Sequence, residues 1–295
     1  MTNPTPVLDV DALSDISETL LLPLYSRAIE SSASKPVLTD HKAVAIAAQL
    51  DQAFAGSQRR LHRNLVARKL PSKLTLTMGL RTRRFDRYAQ EFLARAPEGV
   101  IVSLGCGLDT RFERVDNGRA RWIDLDLPPV IDWRRKLFEE GARRTFIACS
   151  VTDHSWLERL APYRGRPLLF LAEGLFMYLE PGSVKALVLE LQRQFPGSEL
   201  VAEVIHARWV TRMRSRFVKY KFQQQLHLAE GATFQSGIDG GREPEQWSPG
   251  IQLVDEWTYF DDNEPRLGWL LALLGRFASA RQIQWTVHYR LSAAT

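Results

Sequence analysis

Cysteine is scarce in this chain: Cys106 and Cys149 are the two in 295 residues. Both fall at expected strand ends, so neither a disulfide framework nor a cysteine-built metal site is expected. The sequence also lacks a run of eighteen apolar residues, so no membrane-spanning helix is expected. The opening Met1-Thr2-Asn3-Pro4-Thr5-Pro6 has none of the basic-then-apolar order of a signal peptide, and a soluble, cytoplasmic protein follows as the expectation. Internal repeats and low-complexity stretches are missing too. An excess of one charge sign is nearly missing: the net charge is +5, from 39 Lys and Arg against 34 Asp and Glu. A basic balance can serve nucleic acid, an acidic membrane or an anionic substrate. The arginines cluster at Arg59-Arg60, Arg81 to Arg87, Arg134 to Lys136 and Arg208 to Lys221, and solvated helix faces account for such clusters equally well.

What is present fits one α/β domain with elaborations, with 45% hydrophobic residues, an ordinary globular share. Residues 7–95 read as helical, with Asp40 as the cap of a helix whose apolar positions include Val44, Ala47, Ala48 and Leu50. From Val100 onward apolar runs alternate with helical stretches: Val100 to Leu104, Arg121 to Leu125, Thr145 to Cys149, Leu168 to Ala172 and Leu200 to Ile205. That alternation predicts a parallel sheet covered on both faces. Pro181-Gly182 opens a helix that Phe195-Pro196-Gly197 closes. Ile251 to Phe260 reads as a sixth strand, Glu264 to Phe277 as a helix with Leu267, Leu270, Leu271 and Leu274 inward, and Gln282 to Leu291 as a last strand. Residues 237–250, rich in glycine and proline, read as a surface loop. Before them, Trp209, Met213, Phe217 and Tyr220 fall at helical spacing beside Arg208, Arg212, Arg216 and Lys219. Such a stripe either packs on the domain or forms a basic lid, since elements inserted after a strand's carboxyl end lie beside the ligand crevice.

The segment Val100-Ile101-Val102-Ser103-Leu104-Gly105-Cys106-Gly107-Leu108-Asp109-Thr110, followed by Trp122-Ile123-Asp124-Leu125-Asp126, has the form of a βαβ nucleotide site. The glycines let the backbone approach a ligand, and a carboxylate ending the next strand can take both ribose hydroxyls. A dinucleotide fingerprint would carry a third glycine at Thr110. Its absence suits a ligand without phosphates, of which S-adenosylmethionine (SAM) is the common one; the other reading of Gly-x-Gly is a strand-ending turn.

Leu104 to Arg111, then Asp124-Leu125-Asp126-Leu127-Pro128, then Ala172-Glu173-Gly174-Leu175-Phe176-Met177-Tyr178-Leu179, resemble in order the motifs of the leucine carboxyl methyltransferase superfamily, in particular its bacterial polyketide O-methyltransferase branch. The resemblance runs from Thr19 to the last strand and is weakest over 207–249. It implies a Rossmann-like class I methyltransferase fold: a mostly parallel seven-stranded sheet with helices on both faces, an N-terminal helical cover over residues 1–98, a SAM-binding core over 99–295 and a lid insertion at about 207–249. It also implies SAM as cofactor, S-adenosylhomocysteine (SAH) as product and no metal.

The same resemblance distributes roles. Arg81 takes the methionine carboxylate, for which a planar guanidinium fork is suited; Arg83 and Arg84 stand close enough that motif register alone selects Arg81. Gly105 and Gly107 border the cofactor, and Asp126 or Asp124 binds ribose while the other positions a loop. Asp109 reads as a structural residue that orders the glycine loop. Ser150-Val151 stands where relatives commonly carry Asp-Leu to recognise adenine; serine is a neutral, shorter partner, and Asp153 is the alternative. Glu173 and Tyr178 match a Glu-x4-Tyr signature at the methyl-transfer edge, with the phenol expected neutral and positioning. Thr19, Tyr25 and Arg27 lie in the motif that closes over the cofactor, with Arg27 as a partner for a substrate carboxylate. His206, ending the fifth strand, is either structural or the general base for a hydroxyl acceptor.

The leading expectation is a SAM-dependent O-methyltransferase of a small acidic or hydroxyl acceptor in specialised metabolism, with a carboxylate favoured because it is already ionised and needs no base. The alternatives are phenol methylation, methyl esterification of a protein or peptide C-terminus, and a tRNA-binding or tRNA-modifying protein that uses the arginine clusters. A non-catalytic SAM-binding module is the remaining reading, against which Glu173 and Tyr178 weigh.

Overall fold

The computed structural model describes residues 15–213, 234–269, 273 and 275–294. Four helices come first: α1 (Asp15–Ser31), α2 (His41–Ala53), α3 (Arg60–Val66) and α4 (Ser72–Arg95). Asp40 caps α2 by accepting from the Ala43 amide at 2.9 Å. The buried face of α2 is Ala43, Ile46, Ala47 and Leu50, the i, i+3, i+4, i+7 set, while Val44 and Ala48 face solvent. Val44 and Ala48 each sit one residue, about 100° of helix, round from Ala43 and Ala47, which turns them off the buried face.

The sheet then follows: β1 (Val100–Leu104), β2 (Arg121–Asp126), β3 (Arg144–Ala148), β4 (Leu168–Ala172), β5 (Ser198–Ile205), β6 (Ile251–Trp257) and β7 (Gln284–Leu291). Between them lie α5 (Arg111–Val115), α6 (Pro128–Leu137), α7 (Pro181–Gln194) and α8 (Ala207–Met213). The strand order is β3-β2-β1-β4-β5-β7-β6, with β7 antiparallel to both β5 and β6 and the remaining pairs parallel. All five residues of β1 and all eight of β5 are buried, which is why both strands lack the apolar-polar alternation of a half-exposed strand. Val100, Val102 and Leu104 join Val184, Leu187 and Leu191 of α7 in one core, while Ile101 faces Phe85 and Phe92 of α4 in another. The period-2 pleat thus sends alternate side chains of one strand into two layers.

Chain order reverses between β1 and β4, and the crevice beyond their carboxyl ends is where open α/β sheets bind ligands. Three expectations change. The sixth strand stops at Trp257, because Asp261 turns the chain by accepting from the Thr258 amide at 2.6 Å. Glu264 caps a 3-10 turn, Pro265–Leu267, with Leu267 buried, which Gly268 ends at φ +86°; of the expected helix Trp269 and Leu273 are helical, and Leu270, Leu271 and Leu274 lie outside the described residues. The glycine-rich segment 237–250 packs rather than looping over the surface: Ile238, Pro244 and Ser248 are buried and Ile238 bridges to His206.

Candidate active site

A cavity of about 500 Å³ opens at the carboxyl ends of β1, β4 and β5. Its floor is the loop Gly105 to Asp109, one wall comes from α1 and α4 (Leu20, Pro23, Thr77, Met78), and the other from Tyr259, Phe260, Ala280, Ile283 and Gln284. The loop needs its glycines. Gly105 sits at φ +62° and Gly107 at φ +47°, and a β-carbon on Gly105 would lie 2.8 Å from Leu175 Cδ1. Its shape is fixed by hydrogen bonds from outside: the Cys106 amide donates to the Leu125 carbonyl at 3.0 Å and the Gly107 amide to Asp126 Oδ2 at 2.7 Å. Arg134 donates to the Gly107 carbonyl and Arg27 to the Leu108 carbonyl, each at 2.8 Å.

Of the residues singled out from the sequence, Gly105, Gly107, Arg27, Arg81, Glu173 and Tyr178 line this cavity. Arg81 Nε donates to Glu173 at 2.8 Å and Nη1 to Glu203 at 3.0 Å, and among the described residues Nη2 has no hydrogen-bond partner. Arg27 is held by Asp40 at 2.9 Å, so its charge is already matched within the protein. Asp126 closes β2 just outside the cavity lining, and burial raises its carboxyl above the usual range despite the Gly107 and Leu127 amides. Asp109 accepts from the Arg111 amide and pairs with the Arg111 and Arg114 guanidiniums, which orders the loop.

Other expected residues stand apart from the cavity. Asp124 is 2% exposed and pairs with Arg134 at 2.8 Å and Arg144 at 2.9 Å, so those two guanidiniums close it off from a ligand. Ser150 Oγ bonds Thr152 Oγ1 at 2.9 Å beyond β3, Val151 is buried in the main core, and Asp153 caps the 3-10 helix His154–Tyr163 through the Ser155 amide. His206 Nδ1 accepts from the Arg208 amide at 3.3 Å and lies 3.7 Å from Asp239, outside the cavity lining. Tyr25 is buried, its hydroxyl donating to Asp51. Arg83 and Arg84 pair with Asp262 and Asp255 away from the cavity. In the lid stripe, Arg212 lies 5.1 Å over the Trp209 ring and Arg208 is exposed; the side chains of Thr19 and Met213, and all of Arg216, Phe217, Lys219 and Tyr220, lie outside the described residues.

Sequence reasoning missed Arg111, Glu203, Tyr259 and Gln284, all of which line the cavity. Glu203 left a signal, a charged residue inside the apolar strand Leu200 to Ile205. It accepts from Arg81, from the Tyr259 hydroxyl at 2.9 Å and from the Gln284 amide at 2.6 Å. Burial opposes ionisation of Glu173, yet Arg81 and Arg111 together hold it below the usual carboxylate range. Burial and the Glu203 charge push the Tyr178 and Tyr259 phenols up, so both are neutral at ordinary pH.

These features fit SAM. The glycine cradle admits a ligand where a β-carbon would stand, the free Nη2 of Arg81 suits a carboxylate, and the acidic residues suit a cation. The family profile of leucine carboxyl methyltransferase matches residues 21–192. The tetracenomycin polyketide synthesis O-methyltransferase TcmP of Streptomyces glaucescens is 34% identical over 84% of this chain and 85% of its own length. The SAM-dependent methyltransferase dpfgK of Gibberella zeae is 29% identical over 90% of each chain. Among solved structures, an O-methyltransferase family protein from Burkholderia thailandensis matches with a TM-score of 0.47 and 12% identity, over 83% of this chain and 64% of that one. The chain belongs to the leucine carboxyl methyltransferase family and is a SAM-dependent O-methyltransferase.

Proposed function

We propose that this enzyme forms methyl esters on the carboxylate of a small acceptor, in the cytoplasm and in specialised metabolism. The observation that carries the reading is the poverty of the cavity in bases: among the described residues lining it there is no histidine and no lysine. Its carboxylates are already engaged by guanidiniums, its two phenols are held neutral, and burial pushes the Cys106 thiol well up. A hydroxyl acceptor needs a proton taken from it, whereas a carboxylate attacks as it stands. The similarity to a polyketide synthesis O-methyltransferase supports an acceptor from that kind of metabolism.

SAM supplies the electrophilic methyl carbon. The protein's part is to bind, orient and exclude water. In this reading Arg81 takes the methionine carboxylate through Nη2 and Glu173 the cofactor's positive end, while the ribose reaches Asp126 and the adenine extends past the cavity lining toward Ser150 and Val151. Tyr178, beside Phe234 with ring centroids 5.4 Å apart, shapes the acceptor side. Residues 1–98 act as a cover and 207–249 as a lid.

A panel of aromatic carboxylic acids and phenols with labelled SAM tests the proposal. The expected product is an ester, cleaved by mild alkali, formed at a rate that stays flat between about pH 6 and 8. His206→Ala should retain most of the turnover. An alkali-resistant ether, or a histidine-like rise in rate lost in His206→Ala, overturns the carboxylate reading.

A further inference from the structure

Among the described residues, four guanidiniums and five carboxylates form one connected buried cluster under the cavity. Arg27 and Arg114 share Asp40, Arg111 and Arg114 share both Asp86 and Asp109, and Arg81 and Arg111 share Glu173. Among the described residues, Glu203 ends the chain of pairs with a single cation, Arg81, which Glu173 already claims. Its two further partners, the Tyr259 hydroxyl and the Gln284 amide, are neutral donors. Arg81 and the Gln284 amide nitrogen both donate to it, and the Tyr259 hydroxyl adds a third donor, a partner set that suits a carboxylate. Glu203 is 1% exposed, and a buried charge without its full complement is costly unless a ligand completes it.

We propose that Glu203 is the residue by which this cavity distinguishes SAM from SAH: it leaves the cluster one negative charge in excess, which the cationic cofactor offsets and the neutral product does not. SAM carries a sulfonium, an ammonium and a carboxylate, a net single positive charge; loss of the methyl group leaves SAH with none. Each other carboxylate of the cluster has two guanidiniums, so the unmatched charge is localised at the end of β5, where Tyr259 and Gln284 hold Glu203 beside the cavity. The device favours product release after each turnover. The inference rests on SAM being the cofactor.

Calorimetric titration of the full chain with SAM and with SAH tests it. Glu203→Gln keeps the shape and removes the charge; the Kd for SAM should rise about tenfold or more while that for SAH moves by less than about threefold, because a hydrogen bond to a charged group is worth that much. Tyr259→Phe and Gln284→Leu remove neutral donors and should leave the SAM-to-SAH ratio near its wild-type value. Equal weakening of both ligands in Glu203→Gln, or no weakening of either, overturns the proposal. The wild-type protein offers a check that needs no variant: sinefungin, which carries an ammonium-bearing carbon in place of the sulfonium, should bind with SAM-like rather than SAH-like affinity. SAH binding as tightly as both cationic ligands defeats the proposal, and binding of none of the three defeats the cofactor assignment along with it.

Discussion

Asp124 and Asp126 lie on one face of β2, two positions apart, and differ only in depth. Asp124 is enclosed by Arg134 from α6 and Arg144 from β3, whereas Asp126, at the strand end, grips the Gly107 amide. The sequence brings both carboxylates to the strand end but cannot separate them, because the two arginines that bury Asp124 stand 10 and 20 residues away. The consequence is a division of labour between binding and stability. Asp126→Ala should weaken SAM binding by about 1–3 kcal/mol in calorimetry. Asp124→Ala should instead lower unfolding stability by about 3–5 kcal/mol in urea titration, since two buried guanidiniums lose their partner. A binding defect confined to Asp124→Ala contradicts this division. Arg81 follows similar logic: Arg81→Lys loses the fork that spans Glu173 and Glu203, and should impair SAM binding more than Arg83→Lys or Arg84→Lys, whose partners Asp262 and Asp255 lie away from the cavity. Equal effects from the three lysine variants speak against an anchor at Arg81.

The glycine loop is the element most legible in advance, because a strand, two glycines and a following carboxylate are local in sequence and demand local geometry. Gly107→Ala places a side chain at φ +47° and a β-carbon 3.1 Å from Leu20, so it should cost about 1–2 kcal/mol of stability and weaken SAM binding, read by thermal shift with and without ligand. An alanine variant as stable as the parent, with unchanged affinity, removes the argument for a strained cradle. The central parallel strands were legible for a related reason: β1 and β4, buried on both faces, are near-continuous apolar runs. The far wall of the cavity was not legible. Tyr259 and Gln284 reach Glu203 across 56 and 81 residues, only because β7 inserts antiparallel between β5 and β6, a pairing that no local pattern announces.

For the whole molecule the buried cluster sets the response to acid. Burial opposes ionisation of Asp40, but Arg27 and Arg114 together hold it below its usual range, and against the same burial Asp109 and Glu173 are depressed by Arg111 with its neighbours. Depressed folded-state values mean that the stabilisation is present above the unfolded carboxylate range and lost as pH falls through the folded values. Asp126 is raised, so its contribution has the opposite sign: present at low pH and lost as pH rises through its folded value. Stability measured by denaturant should therefore hold between about pH 5 and 7 and fall steeply below about pH 4; a maximum below pH 4 contradicts the arrangement. The cluster also fastens the helices that cover the cavity. Arg27 in α1 binds the Leu108 carbonyl, and Asp40, capping α2, accepts from Thr110 and Arg114 just beyond the floor. A wall fastened to its own floor is a poor door. Ligand traffic should pass the opposite rim, at Phe234, Phe260 and Ala280, so amide exchange across 27–53 should stay slow whether or not SAM is bound while the rim slows on binding, making the C-terminal half of the chain the timekeeper of each catalytic cycle.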